Sequence, residues 1–185
     1  MIEEILGEAE RKMKKAVEAT AEEFSTIRTG RASAALLNRI SVNYYGQPTP
    51  LKQVSSISVP EPSMLLISPF DKSILQDIDK AIMQSGLGLN PMNDGNVIRL
   101  PIPKLTEERR KELTKVVKGR AEDGRVAVRN VRRDAIDEMR HEEKDSDITK
   151  DDLKHGQDEA QKLTDRFTEE IDAMLKAKEK ELMEV

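Results

Sequence analysis

Residues 105–140 read LTEERRKELTKVVKGRAEDGRVAVRNVRRDAIDEMR, and this stretch decides how the rest of the chain is read. Thr106 is placed to cap the first free amides of a helix. Glu107 and Glu108 suit its positive first turn, and no proline interrupts the run to Arg140. At about 100° per residue, Leu113, Val117, Ala121, Gly124, Val128, Val131 and Ala135 fall on one side, at the three- and four-residue steps of an apolar seam. Arg125, Arg129, Arg132 and Arg133 fall on a second side, roughly a third of a turn away. The spacing predicts one long helix with a buried seam and an arginine stripe. Gly124 stands out on the seam, because a mid-helix glycine costs about 0.5–1 kcal/mol relative to alanine. The seam is expected to tolerate alanine there, with close packing or local pliancy as the two reasons for the glycine.

The surrounding chain sets limits on what that helix belongs to. With 185 residues it is long enough for a sizeable core, at the border between one domain and two. The absence of cysteine excludes disulfides, thiolate metal sites and cysteine nucleophiles. No apolar run is long enough for a membrane span, and residues 1–30 carry five basic against seven acidic groups, unlike a targeting peptide. A cytoplasmic protein with no membrane association is expected. Charged residues make up 36% and aromatics 3%, a balance that suits long solvated helices. The net charge of -4 is uneven: residues 1–30 carry -2, residues 31–103 carry +1, residues 104–140 carry +4 and residues 141–185 carry -7. A positive segment inside an acidic chain argues for one located electrostatic face.

Two more long helices accompany the first. Ile2, Leu6, Ala9, Met13, Ala16, Thr20, Phe24 and Ile27 alternate steps of four and three, predicting a helix over 2–28 that ends near Thr29-Gly30 with Arg28 in its last turn. Leu153, Ala160, Leu163, Phe167, Ile171, Met174 and Leu182 predict a third helix over 150–183, opened by a capping box between Thr149 and Asp152. Three narrow seams can cover one another, so 1–30 and 104–185 are expected to form an elongated three-helix bundle.

Between them the periodicity changes. A short helical turn is expected over 32–38. Strands are expected over Ile40–Tyr45, Leu51–Val59, Met64–Ser68 and Asn96–Leu100, with Gly46-Gln47-Pro48 as a turn. Asp71 caps a helix whose Ile74, Leu75, Ile78, Ile82 and Met83 form an apolar face ending near Gly86. Residues 31–103 therefore read as an inserted small α/β domain, a β/α/β sandwich, and the fold class is α+β. The chain enters and leaves this insert once each, and Gly30 and the short extended return leave bending possible between the two domains.

A search for catalytic chemistry returns little. His141 and His155 lie in polar surroundings and are too far apart for a helical ligand pair. Asp145, Asp147, Asp151 and Asp152 lack the spacing of a calcium loop, and Gly86-Leu87-Gly88 lacks the third glycine of a dinucleotide loop. No metal site, catalytic residue or cofactor is expected. Tyr44 and Tyr45 could stack on bases, but in a strand they point to opposite faces and one belongs to the core. The arginine stripe is the strongest feature: from Gly124 to Arg133 there are four arginines and no acid, although Asp134 and Asp137 could pair with Arg133. Guanidinium groups bind phosphate bidentately and stack on bases, and RNA suits the stripe better than duplex DNA, since no helix-turn-helix spacing is present.

Several stretches then combine: Ile27-Arg28-Thr29-Gly30-Arg31-Ala32, Tyr44-Tyr45-Gly46, Gly88-Leu89-Asn90-Pro91, Leu105-Thr106-Glu107-Glu108-Arg109-Arg110 and Val128-Arg129-Asn130-Val131-Arg132-Arg133. Together they closely resemble the bacterial ribosome recycling factor family, almost end to end. The resemblance implies a two-domain, L-shaped molecule similar in outline to transfer RNA. It also implies a non-enzymatic role after translation termination. With elongation factor G and the GTP which that partner hydrolyses, such a factor splits the ribosome into subunits and frees it from mRNA. It further implies that Arg28, Arg129 and Arg132 contact large-subunit ribosomal RNA, to which Arg110, Arg125 and Arg133 are added, and that the small domain swings about hinges near 29–31 and 101–105, at Thr29, Gly30 and Arg31 and at Pro101, Ile102, Pro103, Lys104 and Leu105. A monomer is expected. The alternative is a helical scaffold that binds a protein partner through its arginine face.

Overall fold

The structure is a computed structural model and describes residues 1–184. In chain order it consists of α1 (Ile2–Ser25), β1 (Ser41–Tyr44), β2 (Gln47–Pro50), α2 (Leu51–Val54), β3 (Ser55–Glu61), β4 (Met64–Pro69), α3 (Leu75–Met83), β5 (Met92–Asn93), β6 (Ile98–Pro101), α4 (Glu107–Lys144) and α5 (Lys150–Met183), with short 3₁₀ turns at Ala34–Leu37 and Lys72–Ile74. Contacts divide it into two compact units, Met1–Phe24 with Glu112–Lys180, and Ser25–Lys111 with Glu181–Val185. The joints expected at 30/31 and 103/104 thus lie inside the second unit.

The first unit is a bundle of α1, α4 and α5. The starts of α4 and α5 follow from side-chain caps. The Arg109 amide donates to Thr106 Oγ1 at 3.1 Å, while Thr149 and Asp152 bond reciprocally at 3.1 and 3.0 Å as a capping box. α4 buries Leu113, Val117, Ala121, Gly124, Val128, Ala135 and Met139, and α1 buries Ile5, Ala9, Met13, Val17, Thr20 and Phe24. The α1 seam is centred slightly off the expected line, since Ile5 and Val17 are buried while Leu6 and Ala16 are only half-buried. At one end of the bundle Ile5, Ala9, Ala135 and Met139 pack together, with Ile2, Leu6, Val131, Ile148 and Leu153 around them.

Gly124 is explained by close packing, and the expectation that alanine fits there is corrected. A Cβ at this position would lie 2.3 Å from Thr20 Oγ1 and 3.2 Å from Ile171 Cδ1. Thr20 is β-branched, and its hydroxyl is tied to the Ala16 carbonyl at 2.9 Å, so it cannot swing aside freely. Overpacking of about 1–3 kcal/mol therefore exceeds the helix-propensity gain of about 0.5–1 kcal/mol. Gly124→Ala is expected to destabilise the bundle in thermal or urea unfolding, and adding Thr20→Ala is expected to recover most of the loss. Gly119, on the same helix, has nothing within 4 Å of where a Cβ would lie, so Gly119→Ala is expected to stabilise by about 0.5–1 kcal/mol. Opposite signs at two glycines of one helix make the pair a direct test of packing against propensity.

The second unit carries an antiparallel sheet in the order β3-β4-β6-β5 and a separate β1-β2 hairpin. Leu65, Ile67, Ile78, Ile82, Ile98 and Leu100 are fully buried in its core, with α3 contributing Ile78 and Ile82. Asp71 accepts from the Ser73 amide at 2.9 Å and caps the 3₁₀ turn that leads into α3.

Four expectations are corrected here. α1 stops at Ser25, so Arg28 lies beyond the helix and is not in its last turn; β-branched Thr26, Ile27 and Thr29 disfavour its continuation. The turn expected at Gly46-Gln47-Pro48 falls at Tyr45-Gly46, both with positive φ (51° and 79°) as a two-residue hairpin requires; Gln47–Pro50 is a strand whose prolines sit in a two-stranded sheet. Leu51–Val54 forms a helical turn before the strand, because a three-residue step buries Leu51 and Val54 together, and Ser55 Oγ donates to the Leu51 carbonyl at 2.7 Å. Met83 is exposed, one residue of rotation beyond buried Ile82.

Candidate nucleic-acid interface

The arginines on the bundle are set by α4, and α5 supplies most of their neighbours. Arg125 is the most committed of them: its Nε bonds Asp172 Oδ1 at 2.8 Å, its Nη2 meets the same oxygen at 2.7 Å, and its Nη1 meets Glu122 Oε2 at 2.9 Å. Burial alone would lower the Arg125 pKa, yet the two carboxylates raise it above its ordinary value. Arg129 Nη1 donates to the other oxygen of Glu122 at 3.1 Å. Hydrogen bonds from Arg125 and then Arg129 hold the Glu122 carboxyl below its usual range, so it stays ionised between them.

Arg132 is held differently. Its Nη1 donates to Gln161 Oε1 at 2.9 Å, and Gln161 Nε2 donates in turn to Asp165 Oδ1 at 2.9 Å. Arg133 is exposed and, among the described residues, has no ion pair; Asp137, one of its expected partners, lies 3.7 Å from Arg140 instead.

The stripe is therefore less uniformly positive than its sequence implies. The reading that Gly124 to Arg133 has no neutralising acid is corrected for Arg125 and Arg129. Glu122 lies just outside that stretch, three residues before Arg125, a spacing at which helical ion pairs form. Asp172 comes from another helix, and no local pattern announces it. Gln161 and Asp165 escape sequence reasoning for the same reason. What remains is a graded edge, from neutralised Arg125 through singly paired Arg129 to Arg132 and Arg133, which keep their charge.

Arg28 and Arg110 belong to the second unit, both half-buried. The hinge residues are also there. Thr29 is buried, with its hydroxyl 3.4 Å from Glu181 Oε2, and Gly30 adopts φ +83°. The Ala32 amide donates to the Pro62 carbonyl at 2.8 Å and the Ile102 amide to the Ser63 carbonyl at 2.7 Å, so both segments lie against the turn between β3 and β4. Arg31 is exposed and 4.0 Å from Glu184, Pro101 ends β6, Ile102 and Leu105 are buried, and Pro103 and Lys104 are exposed. Tyr44 packs against the core of its unit, while Tyr45, in the hairpin turn, is 86% exposed with its ring 4.5 Å from that of Tyr44. No helix among the described residues is long and apolar enough to cross a membrane, and none of their acidic or histidine side chains gather into a group of three that could hold a metal ion.

A helical bundle assembled from both ends of the chain, with a small sheet unit inserted in the sequence between them, defines a structural class. A solution structure of a ribosome recycling factor matches it with a TM-score of 0.83 and 46% identity, over 100% of this chain and 98% of that one. The ribosome recycling factor family profile matches residues 20–183. The ribosome-recycling factor of Geobacillus sp. (strain WCH70) is 56% identical over 185 residues, covering 100% of both chains, and that of Alkaliphilus metalliredigens (strain QYMF) is 56% identical over 182 residues, covering 98% of each. This chain belongs to the ribosome recycling factor family, and it is a translation factor, not an enzyme. A further similar structure, with a TM-score of 0.72 and 40% identity over 98% of both chains, is that of the T. thermophilus factor, described together with E. coli elongation factor G bound to the E. coli post-termination complex.

Proposed function

We propose that this protein acts on the post-termination ribosome with elongation factor G, which supplies GTP hydrolysis, to separate the subunits. In this reading it works as a monomer in the cytoplasm, and the arginine edge of α4 contacts large-subunit ribosomal RNA. The observation that carries the RNA contact is the charge left uncompensated at Arg132 and Arg133 in a protein of net charge -4. Arg129 shares Glu122 with Arg125 and contributes less, while Arg125 mainly fastens α4 to α5. Arg28 and Arg110 complete the proposed set from the second unit.

Salt dependence tests the contact. Each phosphate neutralised should contribute about 0.7–0.9 to the slope of log affinity against log salt, so Arg129, Arg132 and Arg133 of the α4 edge alone give a slope near -2 to -3. A slope near zero for binding to isolated large subunits would instead favour a protein-binding scaffold.

We also propose that the domain formed by 31–103 swings on the bundle formed by 1–30 and 104–185, about Thr29–Arg31 and Pro101–Leu105. Gly30 in the left-handed region and two prolines without amide donors support joints there. A covalent cross-link between the domains is expected to leave subunit binding intact and stop splitting. Undiminished splitting by the cross-linked protein would remove motion from the mechanism.

A further inference from the structure

Gln161 is a neutral residue of α5 beside Arg132, and its orientation is fixed by Asp165 one turn further on. The Asp165 carboxylate can only accept hydrogen bonds, so the amide nitrogen of Gln161 must face it, at 2.9 Å. That leaves the amide oxygen for Arg132, whose Nη1 donates to it at 2.9 Å. A guanidinium has five N–H donors, and this bond takes one of them without cancelling any charge. Arg125 is the contrast, with donors on both sides taken by the carboxylates of Glu122 and Asp172. Helix α5 therefore presents two arginines of α4 in opposite ways: a carboxylate silences one, and an amide steers the other.

We propose that Gln161 is a positioning residue for RNA binding, which aims the Arg132 guanidinium while leaving its charge and its remaining donors for phosphate. The proposal rests on the reading of the α4 edge as an RNA contact. It extends that contact to a two-helix surface, in which Asp165 sets Gln161 and Gln161 sets Arg132. Identity at position 161 then matters for a reason that packing does not supply, since Gln161 is exposed.

Two substitutions of similar length separate steering from charge. Gln161→Glu places a carboxylate against Arg132 and makes it resemble Arg125. Gln161→Met removes the acceptor and leaves the charge alone. The probe is purified large ribosomal subunits over a potassium chloride series, with melting temperature as the folding control. Gln161→Glu is expected to weaken binding about tenfold or more and to make the salt slope shallower by about 0.7–0.9, the share of one phosphate. Gln161→Met is expected to weaken binding by only about two- to fivefold at unchanged slope, since Arg132 keeps its charge and loses only the acceptor that aims it. Parental affinity in Gln161→Met, or parental affinity and slope in Gln161→Glu, with Arg132→Ala still impaired, would overturn the role of Gln161 and leave the RNA contact standing. If Arg132→Ala also binds like the parent, the contact and the role of Gln161 fall together.

Discussion

Arg132→Ala is expected to weaken binding to large ribosomal subunits by roughly 10- to 100-fold, the factor for a charge-assisted hydrogen bond contributing about 1.5–3 kcal/mol. Within the molecule this guanidinium makes one hydrogen bond, to the side chain of Gln161 on a solvent-facing edge, so little folding energy depends on it. The melting temperature should stay within about one or two degrees of the parent's, as for surface substitutions within about 0.5 kcal/mol. The salt slope should also become shallower by about 0.7–0.9, because one phosphate contact is gone. Arg125→Ala should behave in the opposite way. It removes an ion pair that joins α4 to α5, so the melting temperature falls while the salt slope barely changes. Subunit binding measured over a salt series, together with thermal unfolding of both variants, checks the pair. A similar profile for the two would mean that partner chemistry does not grade the edge.

Phe167→Ala is expected to have the largest effect on stability, about 3–5 kcal/mol. The bundle is held by a narrow seam in which Ala9, Ala121, Gly124, Ala135, Gly156 and Ala160 let the helices approach closely. Among the described residues, Phe167, 2% exposed on α5, and Phe24 on α1 are the buried aromatic side chains of the three helices. The Arg166 guanidinium also sits 4.5 Å from the Phe167 ring centroid while bonding Glu10 of α1 at 2.8 Å, so loss of the ring weakens a polar tie between helices as well. Close-packed helices cannot collapse into the space a ring leaves, which puts the cost toward the upper end. Against a typical total of about 5–15 kcal/mol this is a large share, and the melting temperature should fall on the order of 10 °C. Circular dichroism at the helical minimum measures it, and a fall of only a degree or two would show that Phe167 is not a keystone of the seam. At temperatures where the variant is folded, its affinity for subunits should match the parent's, since the arginine edge is untouched.

The long helices are legible in the sequence because two independent signals agree. Seam periodicity and capping chemistry both point to a start at Thr106 and another at Thr149, and the observed hydrogen bonds are those the residue types imply. The small unit is less legible. Leu51 and Val54 satisfy a strand composition and a helical step equally well, and only the core decides between them. Pro48 and Pro50 look like turn residues until a two-stranded sheet leaves their missing amides without consequence. The arginine stripe is visible as charge but not as chemistry. Glu122 can be found by extending the count one helical turn, whereas Asp172 and Gln161 reach the stripe only through the packing of α5 on α4. Gly124 shows the same limit: its oddity is evident locally, and its cause lies in the Thr20 hydroxyl of another helix.

Light scattering of post-termination ribosomes links subunit splitting to the Arg129 and Arg132 edge of α4. Added with elongation factor G and GTP, the parent should produce a fall in scattering as subunits separate, and the Arg129→Ala/Arg132→Ala double variant, folded to the same melting temperature, should produce little or none. A parent that leaves scattering unchanged, or a double variant that splits ribosomes as fast as the parent, would contradict the account.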